Sequence, residues 1–409
     1  MWRAIKIFLF AVIFFISISL LAQSYDSVIF SGVQNLIAGP YFVEKISPED
    51  LKKAIDSRKI RVLIVPGHDD NNPGAVFGEV REVNLNLDLG LELFRYLRDD
   101  PKFEPFITRK EGGDYNEWFR NYINIFAEDV VSFRNKVKTI FSSALKSGNI
   151  SSLSGTFHNP AADNTSINLY AVNKVANDYN IDIVLHVHFN DYPRKNKKMA
   201  GKYSGFAIYV PESQLPNARV SQAVGEFLKN RLAFYNAGSN LKSESSVVVE
   251  DQELIAVGSN ASREGASILI EYGYIYEPQF QSEEILTPIS KELAFQTYLG
   301  LTDYFLSKEK RRPEGETTIL FNGKEGFLSK NKEAKKNVLA LQGFLRRNNF
   351  YPPDNKNLND CPISGIYGPC TSRAVELLEI SMGFKNPDGL WDAETGKKAL
   401  SSGLLSKAF

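Results

Sequence analysis

Four segments of this chain carry side chains that could do chemistry together. Residues 61–65 (RVLIV) run straight into Pro66-Gly67-His68-Asp69-Asp70. Pro-Gly forces a turn, so His68 is presented at the carboxyl end of a strand, where α/β proteins place their sites. Residues 181–189 (IDIVLHVHF) set Asp182, Val184, His186 and His188 on one strand face and the remaining aliphatics on the other. Glu82 opens a long apolar-rich segment, with Glu79 three residues before it. Glu271 lies inside the otherwise uncharged run Ser267-Ile268-Leu269-Ile270-Glu271-Tyr272. A carboxylate buried there needs a metal, a cation or a raised pKa. With only four histidines and two cysteines in the chain, a Cys-rich zinc module is excluded, and any metal site must be built from imidazole and carboxylate. Each residue also has a plainer reading: His68 as a turn cap, His186 and His188 as hydrogen-bonded sheet residues, Glu82 as a helix-opening acid favoured by the dipole, Glu271 as a carboxylate bonded to Tyr274 or an arginine.

The elements that must position them alternate between strand and helix. Strands are predicted at 61–65, 181–189, 205–210 (GFAIYV) and 266–272 (ASILIEY), within a block spanning 60–308, as in an α/β domain. Residues 82–97 conflict with themselves. Val83, Leu85, Leu87, Leu89, Leu91 and Leu93 alternate like a half-buried strand, yet the run continues through Phe94 and Leu97 without a turn, too long for a typical strand. Wound as a helix, they give two apolar stripes on opposite sides, which suits a helix packed between layers, and a helix is the preferred reading. Residues 309–336 turn charged and glycine-containing, the composition of a linker, and 337–404 follow as a small separate unit.

The chain has 409 residues, enough for two or three domains, and its 48 basic and 48 acidic side chains cancel. Zero net charge argues against a protein held to nucleic acid or anionic lipid by bulk electrostatics. Arg3 and Lys6 precede an uncharged, nearly all-apolar run at 7–23, the pattern of an export signal. The run falls a little short of the ~30 Å hydrocarbon core, although snorkelling of Arg3 and Lys6 would allow a retained anchor. Residues 1–23 are therefore read as signal peptide or membrane anchor, 24–59 as a stem, and everything beyond as extracytoplasmic. Cys361 and Cys370 fit that compartment: they lie close together in a Pro/Gly-rich loop and can be joined as a disulfide, with two buried thiols as the alternative.

Taken together, the segments resemble the zinc-dependent N-acetylmuramoyl-L-alanine amidases, bacterial cell-wall hydrolases. The first block of that family stands here as Val62-Leu63-Ile64-Val65-Pro66-Gly67-His68, Pro73-Gly74-Ala75 and Glu82 to Leu93. Its second matches Ile181 to Asn190, and its third Ile268-Leu269-Ile270-Glu271-Tyr272-Gly273-Tyr274, with Thr108-Arg109 and Gly205 in the expected order. The resemblance implies a twisted, mostly parallel sheet flanked by helices, and it settles residues 82–97 as a helix. It makes His68, Glu82 and His188 the ligands of a Zn2+ ion, with His186 and Glu79 as rivals for the third place. Glu271 becomes the acid–base catalyst, and peptidoglycan the substrate. A non-catalytic wall binder, or another zinc amide hydrolase such as a peptidase, are the competing functions. Three departures stand out: Asp69-Asp70 replace two glycines, His186 replaces a small serine, and the stretch at about 112–168 is longer than usual, an insert that would either cover the cleft or decorate the surface.

The carboxyl-terminal residues resemble a small three-helix peptidoglycan-binding domain. The matching residues are Leu341-Gln342, Gly365-Ile366-Tyr367-Gly368, Thr371, Ala374-Val375, Asp388-Gly389 and Thr395, while the usual glutamine after Ala-Val is absent. Trp391 is read as a core residue, with a sugar-stacking role as the alternative.

Overall fold

The computed structural model describes residues 44–153, 155–156, 161–257, 265–318 and 334–402. A six-stranded sheet forms its centre. The strands are β1 (Ile60–Pro66), β4 (Phe103–Ile107), β5 (Ile183–Asn190), β6 (Ala207–Pro211), β7 (Val248–Asp251) and β8 (Ala266–Tyr274), and β2 (Val76–Phe77) pairs with β3 (Val80–Arg81) in a separate hairpin. The order across the sheet is β4-β1-β5-β8-β6-β7, parallel throughout except where β6 runs antiparallel to β8. The helices are α1 (Pro48–Ala54), α2 (Glu82–Asp99), α3 (Glu117–Ile125), α4 (Ala127–Ser147), α5 (Asp163–Asp178), α6 (Ala218–Tyr235), α7 (Glu283–Phe305), α8 (Lys335–Arg347), α9 (Pro369–Ser381) and α10 (Ala393–Ser401). None of the described helices is long and apolar enough to cross a membrane. The apolar run at 7–23 lies outside the described residues.

The four strands read from the sequence are the central ones, buried on both faces and therefore nearly continuous in apolar residues. Two further strands, β4 and β7, are edges. Pro105 sits in β4, and β7 carries Glu250 and Asp251, so neither has the apolar signature of an inner strand.

Residues 82–99 are one helix, and its burial explains the ambiguous periodicity. Leu85, Leu89, Leu93 and Leu97 share a core with Val62 and Ile64 of β1, with Ile183 of β5, and with α7. Val83, Leu87 and Gly90 are buried as well, so a helix wedged between a sheet and another helix has a broad apolar face and a narrow exposed stripe of Asn84, Asp88, Arg95 and Arg98. Gly90 marks the closest approach: a Cβ there would stand 2.7 Å from Cγ of Pro66.

The opposite face of the sheet is covered by α3, α4 and α5. Phe119 and Tyr122 of α3 and Val130 and Val137 of α4 pack with Leu63, Val65 and Val184 of the sheet. Most of the stretch read as an insert is thus a structural layer, with Phe119 and Tyr122 buried against the sheet and Phe126 left exposed.

The carboxyl-terminal helices dock on α6 and α7. Arg346 donates to the carbonyl of Phe234, the Lys336 amide donates to Glu284, and Cβ at Gly365 would lie 3.2 Å from Ile285. Residues 312–318 are likewise tied down: Arg231, paired with Asp303 at 2.5 Å, donates to the carbonyls of Arg312 and Pro313, and Glu292 accepts from Thr317 and Thr318. Cys361, in the connection leading into α9, is joined as a disulfide to Cys370 in the first turn of that helix. Trp391 is 7% exposed and packs against Phe344, which makes it a core residue. Gln342 organises the unit. Its buried amide accepts from the N–H groups of Ser364 and Gly365 and donates to Thr371 and to the carbonyl of Ile366. Gln342→Leu strands two buried N–H donors, and should cost about 3 kcal/mol. Chemical denaturation of the full chain, followed by Trp391 fluorescence, measures it; a loss below about 0.5 kcal/mol would refute the role given to this amide.

Candidate metal centre

Three stretches of backbone meet at the carboxyl ends of β1 and β5. His68 leaves β1 through Pro66-Gly67 with a left-handed φ of 66°, a conformation that turns its ring back over the sheet end. Glu82 is the first residue of α2, delivered by the β2–β3 hairpin. His188 stands near the end of β5. Glu82 Oε1 lies 3.1 Å from His68 Nε2 and 3.0 Å from His188 Nδ1, and one ligand atom from each residue lies within 4.8 Å of the others. The two imidazole rings meet edge to face at 5.1 Å.

The packing around this trio leaves no room for larger neighbours. A Cβ at Gly67 would lie 2.2 Å from Cε1 of His188, and one at Gly74 would lie 2.3 Å from Oε2 of Glu82 and 2.6 Å from the His68 ring. Glu82 is further fixed by the amides of Ala75 (2.8 Å) and Phe189 (3.3 Å) and by Asn86 one helical turn on (3.3 Å). Asn86 also donates to the carbonyl of Gly67, and so does the buried guanidinium of Arg109, which reaches the carbonyl of Val83 as well. Arg109 therefore clamps the backbone beside His68 to the backbone beside Glu82. Asp69, one of the two residues standing in place of glycines, accepts from the amides of Asn71 and Asn72 and closes the turn after His68.

The electrostatics favour a cation at this point. Burial opposes a charged Glu82, but the hydrogen bonds of His188 and His68 outweigh it and hold the carboxyl well below its usual range. Burial also opposes a charged His68, yet bonding to Glu82 raises that imidazole above its ordinary value. Burial pushes His188 down, leaving a neutral donor.

Glu271 lies in register with His188 on the neighbouring strand β8. Its Oε2 is buried without a hydrogen-bond partner among the described residues, and burial, with the charges of Glu82 and Glu244, pushes its carboxyl well above the ordinary value. His186 and Glu79 are not part of the cluster. His186 is 1% exposed, both its ring nitrogens are unpartnered among the described residues, and burial followed by the charge of His188 pushes it down to about 3. Glu79 is exposed on the hairpin turn.

Glu244 had no signal in the sequence, since it lies in the polar run Ser243-Glu244-Ser245-Ser246. Only the fold brings Tyr209, Ser239, Tyr274 and Asn190 to donate to it, close enough to act on Glu271. Asn86 could have been found, because it stands four residues after Glu82 on the same helix face.

No protein-family model matches the chain. A protein of Buchnera aphidicola subsp. Acyrthosiphon pisum, assigned as an N-acetylmuramoyl-L-alanine amidase, is 24% identical over 255 residues, which cover 61% of this chain and 96% of that protein. Among solved structures, the CwlD amidase of Clostridioides difficile in complex with the GerS lipoprotein is 14% identical, with 60% of this chain and 98% of that chain covered at a TM-score of 0.36. The amidase AmiC2 of Nostoc punctiforme is 16% identical, with 61% and 98% covered and a TM-score of 0.36. The amidase Ami1 of Mycobacterium abscessus is 14% identical, with 61% and 100% covered and a TM-score of 0.38.

The glycine contacts generate a direct test. Gly67→Ala forces its methyl into the His188 ring, and should weaken metal uptake at least about tenfold while the fold is kept. Competition for metal against a chromophoric chelator measures it, and unaltered affinity would contradict the packing described above.

Proposed function

We propose that this chain is a zinc-dependent N-acetylmuramoyl-L-alanine amidase, which hydrolyses the amide joining N-acetylmuramic acid to the L-alanine of the peptidoglycan stem peptide outside the cytoplasm. The convergence of His68, Glu82 and His188 beside an unpartnered Glu271 carries this reading. The amidase relative, spanned over almost its whole length, supports it.

The donor set suits zinc: two imidazole nitrogens and one carboxylate oxygen, the combination of catalytic sites that keep a fourth position open. A zinc ion bound there would bring the pKa of a water to about 7 and polarise the scissile carbonyl. Glu271 takes the proton of the attacking water and passes it to the departing amine, without which the amine is a poor leaving group. Its Oε2, without a hydrogen-bond partner among the described residues, is available for both transfers. Arg109 and Asn86, neither of them in contact with the reacting atoms, keep the turn of His68 and the helix start of Glu82 in register. The carboxyl-terminal helices, which resemble a peptidoglycan-binding unit, hold the enzyme on its polymer, and the apolar run at 7–23 directs export.

Zinc content and turnover separate the roles. His68→Ala, Glu82→Ala and His188→Ala should each lose zinc, whereas Glu79→Ala and His186→Ala should retain it. Glu271→Gln should keep zinc and lose about 10³-fold in kcat. Digestion of purified sacculi, with mass spectrometry of the products, should release whole stem peptides with a free L-alanine amino terminus, and dialysis against chelator should abolish it. Shortened peptides would identify a peptidase instead, and full zinc in the Glu82 variant would remove that ligand from the set.

The pH profile follows from the same geometry. Glu271 must be deprotonated to act as a base, and burial with the charges of Glu82 and Glu244 raises its carboxyl above the ordinary value. Removing a neighbouring negative charge lowers that pKa, so Glu244→Gln should move the acid limb of kcat/KM to lower pH. A limb that stays in place would show that Glu244 does not act on Glu271.

A further inference from the structure

The loop between β5 and β6 begins three residues beyond His188 and is unusually basic. Residues 191–202 (DYPRKNKKMAGK) hold five basic side chains against one acid, in a chain whose total charge is zero. Arg194 is spent internally. Its side chain is 6% exposed, it pairs with Asp191, it donates to the carbonyls of Lys197 and Met199 within the loop, and it lies over the rings of Phe77 and Tyr276 at 5.0 and 5.3 Å. It also reaches the carbonyl of Val76 in the β2–β3 hairpin. Asn196 closes a turn onto the amide of Lys198, and Gly201 approaches Tyr276 so closely that a Cβ would stand 2.3 Å from its hydroxyl. The backbone of this loop is thus built around a buried guanidinium rather than left loose.

That construction holds Lys195, Lys197 and Lys198 outward, all exposed and none paired with an acid among the described residues. One end of the loop continues from the strand of His188, and its tether to Val76 lies on the hairpin that delivers Glu82. The three lysines are therefore carried on a loop that starts just beyond one ligand-bearing strand end and is tethered to the hairpin before Glu82.

Resting on the amide-hydrolase reading, we infer that Lys195, Lys197 and Lys198 form a subsite for the free carboxylates of the stem peptide, and that they make the enzyme select peptides whose acidic groups are unblocked. The alternative occupant, an anionic membrane surface, accounts less well for the placement. Charges meant for a lipid plane gain nothing from a loop anchored to the elements that carry His188 and Glu82, whereas charges meant for the substrate do. Exposed ion pairs are individually weak and sensitive to salt, so three acting together give a moderate, salt-dependent preference.

The test uses the full-length zinc-loaded chain and two soluble muropeptides, one with free stem carboxylates and one with those groups amidated. The wild type should show a KM about tenfold lower for the free acid, an advantage that shrinks as salt rises. In Lys195→Ala/Lys197→Ala/Lys198→Ala the two KM values should converge, with kcat within about twofold, and the triple arginine variant should restore the difference. Calorimetric titration with free stem peptide, which needs no turnover, should give a Kd about tenfold weaker in the alanine variant. An unchanged Kd and KM in that variant would overturn the inference. If the wild type cleaves neither muropeptide, the hydrolase reading falls, and calorimetry still decides whether the lysines bind the acid. Should the alanine variant instead lose binding to phosphatidylglycerol vesicles at unaltered peptide affinity, the loop faces a membrane and the subsite is refuted.

Discussion

The carboxylate of Glu82 is where four separate stretches of backbone meet. The turn after β1 brings His68, β5 brings His188 and the amide of Phe189, the Pro-Gly-Ala turn brings the amide of Ala75, and α2 supplies the acid together with Asn86. A carboxylate only 4% exposed is costly to keep charged, and it is kept charged here because four donors converge on Oε1 and the Ala75 amide holds Oε2. The surrounding fold can be understood as what that convergence requires. A parallel sheet aligns two carboxyl ends side by side, and a helix wedged between the sheet and α7 sets its first residue over them.

Two glutamates within one cleft are driven in opposite directions. Glu82 is held by hydrogen bonds below the carboxylate range, while Glu271, with one oxygen that meets no donor among the described residues and with Glu82 and Glu244 nearby, is held above it. In the function we propose, that divergence is why one acid holds a cation and the other moves protons. Glu244 enters this division from a distance. Its donors Tyr209, Tyr274 and Asn190 come from three strands, so the charge that acts on Glu271 is itself fixed by the sheet.

The carboxyl-terminal helices are bound to the catalytic layer more closely than a charged, glycine-containing connection suggests. The residues that read as linker begin by packing against α6 and α7, through Arg231 and Glu292, and α8 is tied to α6 by Arg346. Glycine and charge indicate where a chain can turn and be solvated. They do not show whether buried partners on another element will capture its carbonyls and hydroxyls.

The inner strands, the ligand-type residues and the Pro-Gly turn of His68 were all legible in the sequence, because long apolar runs and forced turns are local properties. So was the anomaly of Glu271, since one acid in an aliphatic run is visible without coordinates. The helix at 82–99 was ambiguous for a physical reason: burial on two sides widens the apolar face and leaves only the narrow polar stripe of Asn84, Asp88, Arg95 and Arg98, which a leucine at every second position overlays with a strand-like alternation. Edge strands with a proline or acids, the inward packing of α3 and α4, the clamp of Arg109 and the donors around Glu244 depend on partners far along the chain, and no local pattern encodes them. The sequence alone determined which chemistry was available. Only the tertiary structure decided which imidazoles share one carboxylate oxygen and which, like His186, are sealed away, because that choice is made by how strands register and where a helix begins.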